Sequence, residues 1–303
     1  AKAQPGVGVY ASQVASKTML ITLAIFCAIV ANIPGILGVK YVDLGHSVSE
    51  VSMVWPGTSP FTSETVKIGS MGFWYESYRF CMAEHTGTHL DAPSHFAEGK
   101  WSVDQIPITH LMGPGVVVDI QSKVENNPIA ELTSDDLMAW MDEHGPLPDG
   151  VILFVRTGWG NRYGNKTAYF GTDTNDTSKL IFPGINPGAA QLLIGYEAAT
   201  GRRVFGVGVD TPSLDYGPST LFTSHVELFT ANIYGLENVA NLEKLPITGF
   251  HVTVMPMKIR GGSGAPVRIL ATLPDHSATS QAIAHASLLY FMAASFSLLC
   301  GYL

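Results

Sequence analysis

The sequence is poor in charged residues and in cysteine, and it contains no long basic segment. Only 14% of its 303 residues are charged and 46% are hydrophobic, a composition that excludes an intrinsically disordered chain. Its 17 Lys and Arg residues are outnumbered by 25 Asp and Glu residues, which argues against sequence-independent binding to nucleic acid. The composition predicts a globular protein with an acidic surface and a chain long enough to bury an adequate core.

Cysteine is nearly absent from the central part of the chain. Of the three cysteines, Cys27 and Cys300 lie in apolar terminal runs, so a chain trimmed at both ends would keep only Cys81. Such a chain can form no internal disulfide, and a domain of about 240 residues does not need one. Because Phe80 and Met82 flank it, we predict that Cys81 is a buried thiol rather than a metal ligand.

The N-terminal end carries an uncharged apolar run. Residues 19–30 follow Lys2 and Lys17, which is typical of the hydrophobic region of a signal peptide. No clean small-x-small cleavage site follows the run, so an uncleaved N-terminal anchor is the alternative. Under either interpretation, residues 1–38 lie outside the folded domain.

The C-terminal end has no Asp, Glu, Lys or Arg after Asp275, and residues 287–303 are almost wholly apolar. Small residues at 277–280 and a short spacer precede this tail, which resembles a GPI-attachment signal. The alternative is a buried C-terminal helix. We therefore divide the chain into an N-terminal segment (1–38), a central domain (39–277) and a tail (278–303).

Two glycosylation sequons, at Asn165 and Asn175, lie in one polar, glycine-rich stretch that is typical of a surface loop. Together with the two ends of the chain, they predict a secreted or cell-surface protein. On this interpretation the protein contacts a membrane only through a terminal anchor.

Short segments rich in β-branched residues dominate the central domain. Six of them are predicted as strands because Gly, Pro or Asp bounds each one: residues 39–44, 115–120, 151–156, 204–209, 250–257 and 267–273. Helices are predicted over residues 134–144 after a Thr133 cap, from Pro187 to Gly201, and from Ser219 toward Ala231. This pattern predicts one α/β domain with a mixed β-sheet or partly closed barrel, flanked by a few helices.

Metal-binding chemistry is concentrated in residues 81–96. Four candidate ligands occupy odd positions there: His85, His89, Asp91 and His95. In an extended chain, odd positions share one face, so these side chains would converge, and Gly87 on the same face would let an ion or a substrate approach. Imidazoles and a carboxylate are typical ligands of zinc, manganese or iron. The alternative is a polar loop, which three histidines and an aspartate in eleven residues fit poorly.

The segment HTGTHLDAPSHF resembles the signature of the metal-dependent cyclase family, which includes bacterial kynurenine formamidase and isatin hydrolase. Residues 55–57, 155–159 and 209–215 resemble further blocks of that family, and so does the segment from His225 to Glu237. The resemblance extends from about residue 42 to 273. It implies a swivelling β/β/α-like fold and a homodimer.

The same resemblance implies a set of metal ligands. His85 and His89 would bind a first metal ion, and Asp91 would bridge it to a second. His225 would bind the second ion, and Glu237 would contact both. The implied cofactor is one or two divalent ions per chain, Zn or Mn.

Two further residues receive roles from the resemblance. His95 would donate and accept the proton, which suits an unligated imidazole near neutral pH. Trp55 would lie beside the substrate ring, for which it offers a flat apolar face, although a single Trp is as often part of a core. Asp210 and Asp215 are predicted to be structural or to support the site.

These residues predict a metal-dependent hydrolase of an aryl formamide, converting N-formylkynurenine to kynurenine and formate. A hydrolase of a cyclic amide or lactone such as isatin is the alternative, and a non-catalytic extracellular binding protein is a third possibility. The predicted partner is a small aromatic amide or lactam, and no nucleic acid. The insertion-like residues 161–182 could reshape the mouth of the pocket.

Overall fold

Residues 38–275 are described by a computed structural model, within which residues 41–273 form a unit by themselves. The predicted signal peptide or anchor and the predicted GPI signal lie outside the described residues, so export stays a prediction. Within residues 38–275, no helix combines the length and the apolar character needed to cross a membrane. Both sequon asparagines, Asn165 and Asn175, are exposed, and glycosylation there also stays a prediction.

Twelve strands and five α-helices are found in the described residues. The strands are β1 (Gly38–Asp43), β2 (Thr62–Ser70), β3 (Trp74–Cys81), β4 (His89–Asp91), β5 (Met112–Asp119), β6 (Glu131–Leu132), β7 (Val151–Arg156), β8 (Gly184–Ile185), β9 (Val204–Val209), β10 (Tyr234–Glu237), β11 (Phe250–Pro256) and β12 (Gly264–Asp275). The helices are α1 (Gln121–Asn126), α2 (Ser134–His144), α3 (Lys166–Phe170), α4 (Pro187–Thr200) and α5 (Thr223–Thr230).

Seven strands close into a ring. Their order is β12-β11-β5-β7-β9-β10-β4, and β4 pairs again with β12, while β1 adds to the free side of β12. The strands β5, β7, β9 and β10 run parallel to one another, whereas β11, β12 and β4 pair antiparallel. The predicted α/β domain with a mixed, barrel-like sheet is confirmed.

The central parallel strands are apolar throughout because both of their faces are buried. In β7, Leu153 and Val155 pack with residues of the helices α2 and α4. The intervening Ile152 and Phe154 pack on the opposite face, with residues of β11 and β12. Two apolar layers of this kind explain why β7 and β9 are found at their predicted bounds.

The helix ends follow their capping residues. Thr133 accepts a hydrogen bond from the Asp136 N–H, and the Asp136 carboxylate accepts one from the Thr133 N–H, so α2 begins at the predicted cap. Helix α4 begins at Pro187 and ends before Gly201, which has a φ of 73°. The third predicted helix starts four residues too early, because Phe222 takes a left-handed φ of 49° immediately before α5.

The hairpin β2–β3 was not predicted from the sequence, and among residues 38–275 its strands pair only with each other. Eight large apolar side chains on it are exposed: Val66, Ile68, Met71, Phe73, Trp74, Tyr75, Tyr78 and Phe80. Cys81 ends β3 and is exposed as well. The prediction of a buried thiol is therefore wrong for the described part of the chain, because no layer within residues 38–275 covers the hairpin.

Candidate metal centre

The polar centre of the molecule lies where β4 meets β10. The two strands pair antiparallel, with Glu237 directly opposite His89 and Gly235 opposite Asp91. Alternate residues of a strand share one face, so His89 and Asp91 point the same way, and Glu237 faces them from the neighbouring strand. Helix α5 brings His225 to the same place.

Five of the predicted residues meet at this point. His89 Nε2 lies 3.1 Å from Asp91 Oδ1 and 3.3 Å from Glu237 Oε2. His225 Nε2 lies 3.0 Å from Glu237 Oε1 and 3.5 Å from Asp91 Oδ2. His85 Nδ1 lies 2.6 Å from Asp91 Oδ1. All except His85 are buried, so two carboxylates and three imidazoles converge almost without solvent.

The predicted extended geometry holds only for His89 and Asp91. His85 lies in a turn before β4, and His95 ends a single turn of 3₁₀-helix, Pro93–His95, so neither lies in the extended chain that was predicted. The two rings nevertheless meet, stacked with their centroids 4.1 Å apart. The sequence therefore predicted the convergence, although a turn and a 3₁₀-helix bring it about.

Gly87 has a different use from the one predicted. Its φ is 62°, a conformation that favours glycine, and its carbonyl accepts hydrogen bonds from His89 Nδ1 and Asn238 Nδ2. A Cβ at this position would meet the Tyr163 hydroxyl, not an open cavity. Gly87 therefore shapes the backbone that orients His89, and the prediction that it leaves room for an ion is wrong.

Hydrogen bonds fix the orientation of the two buried imidazoles. A carbonyl can only accept, so the bond to Gly87 places the proton of His89 on Nδ1 and turns Nε2 toward the carboxylates. His89 Nε2 is buried and has no well-oriented hydrogen-bond partner among residues 38–275. In the same way, His225 Nδ1 lies 2.6 Å from the Asp215 carboxylate and its Nε2 faces Glu237 and Asp91. Metal-binding histidines are typically held in this manner.

The buried carboxylates of Asp91 and Glu237 need a positive charge beside them. Desolvation opposes the charged imidazole of His89, but Asp91 and Glu237 outweigh it and raise its pKa to about 10. Desolvation likewise opposes the charged form of Asp91, yet the neighbouring imidazoles hold the pKa of this carboxyl well below its usual range. Without a metal, protons on the histidines would have to neutralise the buried carboxylates. A divalent ion fits the same donor set.

Two groups of side chains could each hold an ion. One consists of His89, Asp91 and Glu237, and the other of His85, Asp91 and His95. They share Asp91, which is consistent with the bridging position that the resemblance implies for it. The second group also includes His95 as a possible ligand, whereas the sequence analysis assigned it to proton transfer.

Sequence reasoning missed Glu84 and Ser263, which hold the third imidazole. The Ser263 hydroxyl donates to Glu84 Oε2 at 2.8 Å and lies 3.1 Å from His85 Nε2. Since this hydroxyl already donates its proton, it accepts from His85 Nε2–H, which leaves Nδ1 free to face Asp91. The pairing of Asp91 with Gly264 brings Ser263 to the site, and nothing in the local sequence indicates it.

We expect Ser263→Ala to weaken the affinity for Zn or Mn by about 10- to 100-fold, because partners that orient a ligand typically contribute that much. Titration calorimetry on chelator-treated protein measures the effect directly. Ser178→Ala is the matched control, because its hydroxyl bonds only to Asp176 on the surface. Unchanged affinity in Ser263→Ala would show that His85 does not depend on this hydroxyl.

The two aspartates of the segment 209–215 have different neighbours. Asp215 accepts hydrogen bonds from the backbone and the ring of His225, so it supports the centre as predicted. Asp210 accepts from Thr157 and from the Gly158 N–H, which ties the ends of β7 and β9 together. It therefore has the structural role that was the alternative prediction.

A cavity of about 260 Å³ opens over the centre. His85, His89, Asp91, His225 and Glu237 lie on its floor, and aromatic side chains form its walls. Trp55 is half-buried in one wall, with edge contacts to Phe182 and Phe222. The walls are thus suited to a flat aromatic ring.

His95 also lines this cavity, at its more exposed side. Its ring stacks on His85 and meets Phe96 edge-on, and it forms no hydrogen bond within residues 38–275. Desolvation, helped by the nearby imidazoles of His85 and His225, lowers the pKa of His95 below its ordinary value, although Asp91 and Glu237 oppose this shift. A neutral imidazole here can accept a proton.

Comparison with known proteins supports the resemblance. The model of the Cyclase family (Putative cyclase) matches residues 42–216. Isatin hydrolase of Roseibium aggregatum is 32% identical over 201 residues, which cover 64% of this chain and 73% of that protein. Kynurenine formamidase of Geobacillus thermodenitrificans is 30% identical over 234 residues, covering 75% and 95%.

A solved structure gives the same result for the fold. Isatin hydrolase A from Labrenzia aggregata, bound to benzyl benzoate, superimposes with a TM-score of 0.69 at 32% identity and covers 78% of this chain and 94% of that one. The family match ends before His225 and Glu237. Their place in the centre therefore rests on the geometry described above.

Proposed function

The chain belongs to the Cyclase family and is a hydrolase, and we propose that it is a metal-dependent enzyme that cleaves an aryl formamide of the N-formylkynurenine type. The observation that carries this proposal is the convergence of His89, His225, Asp91 and Glu237 beneath an aromatic cavity. His89 Nε2 has no well-oriented hydrogen-bond partner within residues 38–275, and His225 Nε2 faces the carboxylates of Glu237 and Asp91, an arrangement that suits metal ligands.

The proposed cofactor is one or two divalent ions, Zn or Mn. His85 and His89 would hold the first and His225 the second, with Asp91 between the two and Glu237 in contact with both. Such an ion supplies polarisation of the substrate carbonyl and a water whose pKa is lowered toward about 7. Which metal is bound depends on availability, because imidazole and carboxylate ligands suit both.

We assign the proton transfers to His95. Its neutral imidazole would take a proton from the attacking water, and the resulting imidazolium would give that proton to the aryl nitrogen as the C–N bond breaks. The position of His95 at the open side of the cavity, beside His85, places it between the floor and an incoming substrate. Trp55 and Phe96 would hold the aryl ring and keep bulk water out.

Hydrolysis of a cyclic amide such as isatin is the second candidate, and the 32% identity to isatin hydrolases favours it. Opening a lactam needs the same attack on a carbonyl and the same protonation of the departing nitrogen. The presence of both His225 and Glu237, the residues that the resemblance assigns to a second ion, favours the formamide.

A direct comparison of substrates tests the proposal. N-formylkynurenine, isatin and a simple aryl ester are offered at neutral pH to protein loaded with Zn or with Mn, and turnover is followed by absorbance. We expect the formamide to be hydrolysed with the highest kcat/KM. Turnover of isatin without the formamide would replace the first candidate by the second. Bound metal with no turnover of any of them would favour the non-catalytic binding protein.

We also propose that the partner of this chain is a second copy of itself, joined through the hairpin β2–β3. Its eight exposed apolar side chains support this, because an isolated hairpin is at best marginally stable in water. A Trp74→Ser, Phe80→Ser double variant is expected to halve the molar mass measured by light scattering. Met138→Ser, an exposed apolar change on α2, is the control. A wild-type protein that is already monomeric would contradict the proposal.

A further inference from the structure

The cavity over the metal centre borders a second cavity of about 400 Å³. Five residues line both: Met53, Val54, Trp55, Thr58 and Phe170. Trp55 forms part of the common wall, and it is held in place because Thr58 bonds to the Trp55 carbonyl through both its N–H and its hydroxyl. The outer cavity therefore lies directly beyond the Trp55 wall of the inner one.

The outer cavity differs from the inner one in its charges. One cation, Lys166, and one anion, Glu50, line it. Neither forms an ion pair within residues 38–275, and Lys166 Nζ reaches only the Asn175 side-chain oxygen, at 3.5 Å. Lys179, on the same insertion-like stretch, is by contrast paired with Asp176 at 3.4 Å. Two opposite charges, neither of them in an ion pair within residues 38–275, thus line a cavity that adjoins the active-site cavity.

Lys166 and Glu50 both lie on segments that also line the inner cavity. Lys166 and Phe170 are four residues apart in α3, which places them on one face of the helix. Phe170 is buried and lines both cavities, so it anchors the helix that carries Lys166. Glu50 lies five residues before Trp55, in the segment that supplies Trp55 to the wall shared by both cavities.

We propose that the outer cavity is a subsite for the zwitterionic α-amino-acid group of the substrate. Lys166 would bind its carboxylate and Glu50 its ammonium group, while the aryl formamide lies beyond Trp55 over the metal centre. This inference rests on the proposed function and makes it more specific, because isatin carries neither charge. Residues 161–182, which were expected to reshape the mouth, would thereby select the substrate.

The test compares two formamides that differ only in the amino-acid group. One is N-formylkynurenine, and the other is 2-formamidoacetophenone, which keeps the aryl ketone and lacks the zwitterion. For Lys166→Gln and for Glu50→Gln we expect kcat/KM for N-formylkynurenine to fall about three- to tenfold, mainly through KM, since a partly exposed charge contact contributes in this range. The values for 2-formamidoacetophenone should stay within about twofold. Lys179→Gln should change neither.

The effect should also shrink at high salt, because the charges of the outer cavity are open to solvent. Equal loss for both formamides, or no loss for either, would overturn the subsite. Binding of the products, kynurenine against 2-aminoacetophenone, is measured by calorimetry in parallel. If neither formamide is hydrolysed, the proposed function fails. In that case, weaker kynurenine binding in Lys166→Gln would still support the subsite, and unchanged binding would overturn it.

Discussion

His89→Ala is expected to lose all measurable bound metal, whereas wild-type protein, stripped with a chelator and reloaded, should hold one or two divalent ions per chain. The reason is positional, because His89 Nε2 faces both Asp91 and Glu237, at 3.1 and 3.3 Å. Without it, the first ion keeps only one imidazole, and Asp91 and Glu237, which would also hold the second ion, lose the ring that lies between them. Elemental analysis of the purified variant gives the answer, and full occupancy in a folded His89→Ala protein would overturn the assignment.

The same variant also tests the electrostatics of the centre. Asp91 and Glu237 are buried, and removing a positive partner from a buried charge group typically costs about 3–5 kcal/mol. The melting temperature of metal-free His89→Ala is therefore expected to fall below that of metal-free wild type. If the variant does not fold, Glu237→Gln keeps the shape of the side chain and removes one charge. It should fold and bind metal more weakly, and unchanged affinity would contradict the role of Glu237.

The strands β7 and β9 could be predicted because everything that defines them is local. Residues 151–156 and 204–209 are apolar at successive positions and bounded by Gly, Asp or Arg, and the structure buries both faces of each. The helix α2 was predictable for a similar reason, since its Thr133 cap and its apolar face lie within a few residues. Local pattern thus accounts for much of the barrel.

The hairpin β2–β3 could not be predicted in this way. A strand is usually identified by one buried face, but in Thr62–Ser70 and Trp74–Cys81 nearly every residue is exposed within the chain. Its aromatic side chains have no apolar partner in the ring of strands. The hairpin therefore lacks the buried apolar face that ties a strand to the core, and Cys81 was predicted to be buried only because Phe80 and Met82 beside it are apolar.

The metal centre was predictable only in part, because some of its residues lie far apart in the sequence. His85, His89, Asp91 and His95 are close in sequence, so their residue types alone indicated a metal site. Glu84 and Ser263 are 179 residues apart and meet only through the register of β4 on β12. Asn238, which donates to the Gly87 carbonyl, is likewise brought in by β10. The register of β4 on β12 and β10 depends on closure of the ring of strands, and no local sequence pattern indicates it.

His95→Ala is expected to keep its fold and its metal and to lose most of its turnover. The side chain lies at the exposed side of the cavity and forms no hydrogen bond within residues 38–275. Its removal therefore leaves no buried charge unpaired, unlike the removal of His89. A general acid–base group contributes about 10²- to 10⁴-fold, which corresponds to about 3–5 kcal/mol of transition-state stabilisation.

Metal content, melting temperature and kcat of His95→Ala together distinguish proton transfer from metal binding. The distinction must be tested because His95 could also hold an ion together with His85 and Asp91. Metal content and melting temperature should match wild type, while kcat falls, and added imidazole should restore part of kcat by supplying the missing base. Loss of metal would instead make His95 a ligand, and wild-type turnover would make it structural. His144→Ala, a change at the end of α2 away from the cavity, is the control. Proton transfer is the expected result because the His95 ring stacks on His85, one of the predicted metal ligands, and lies at the open side of the cavity where a substrate enters.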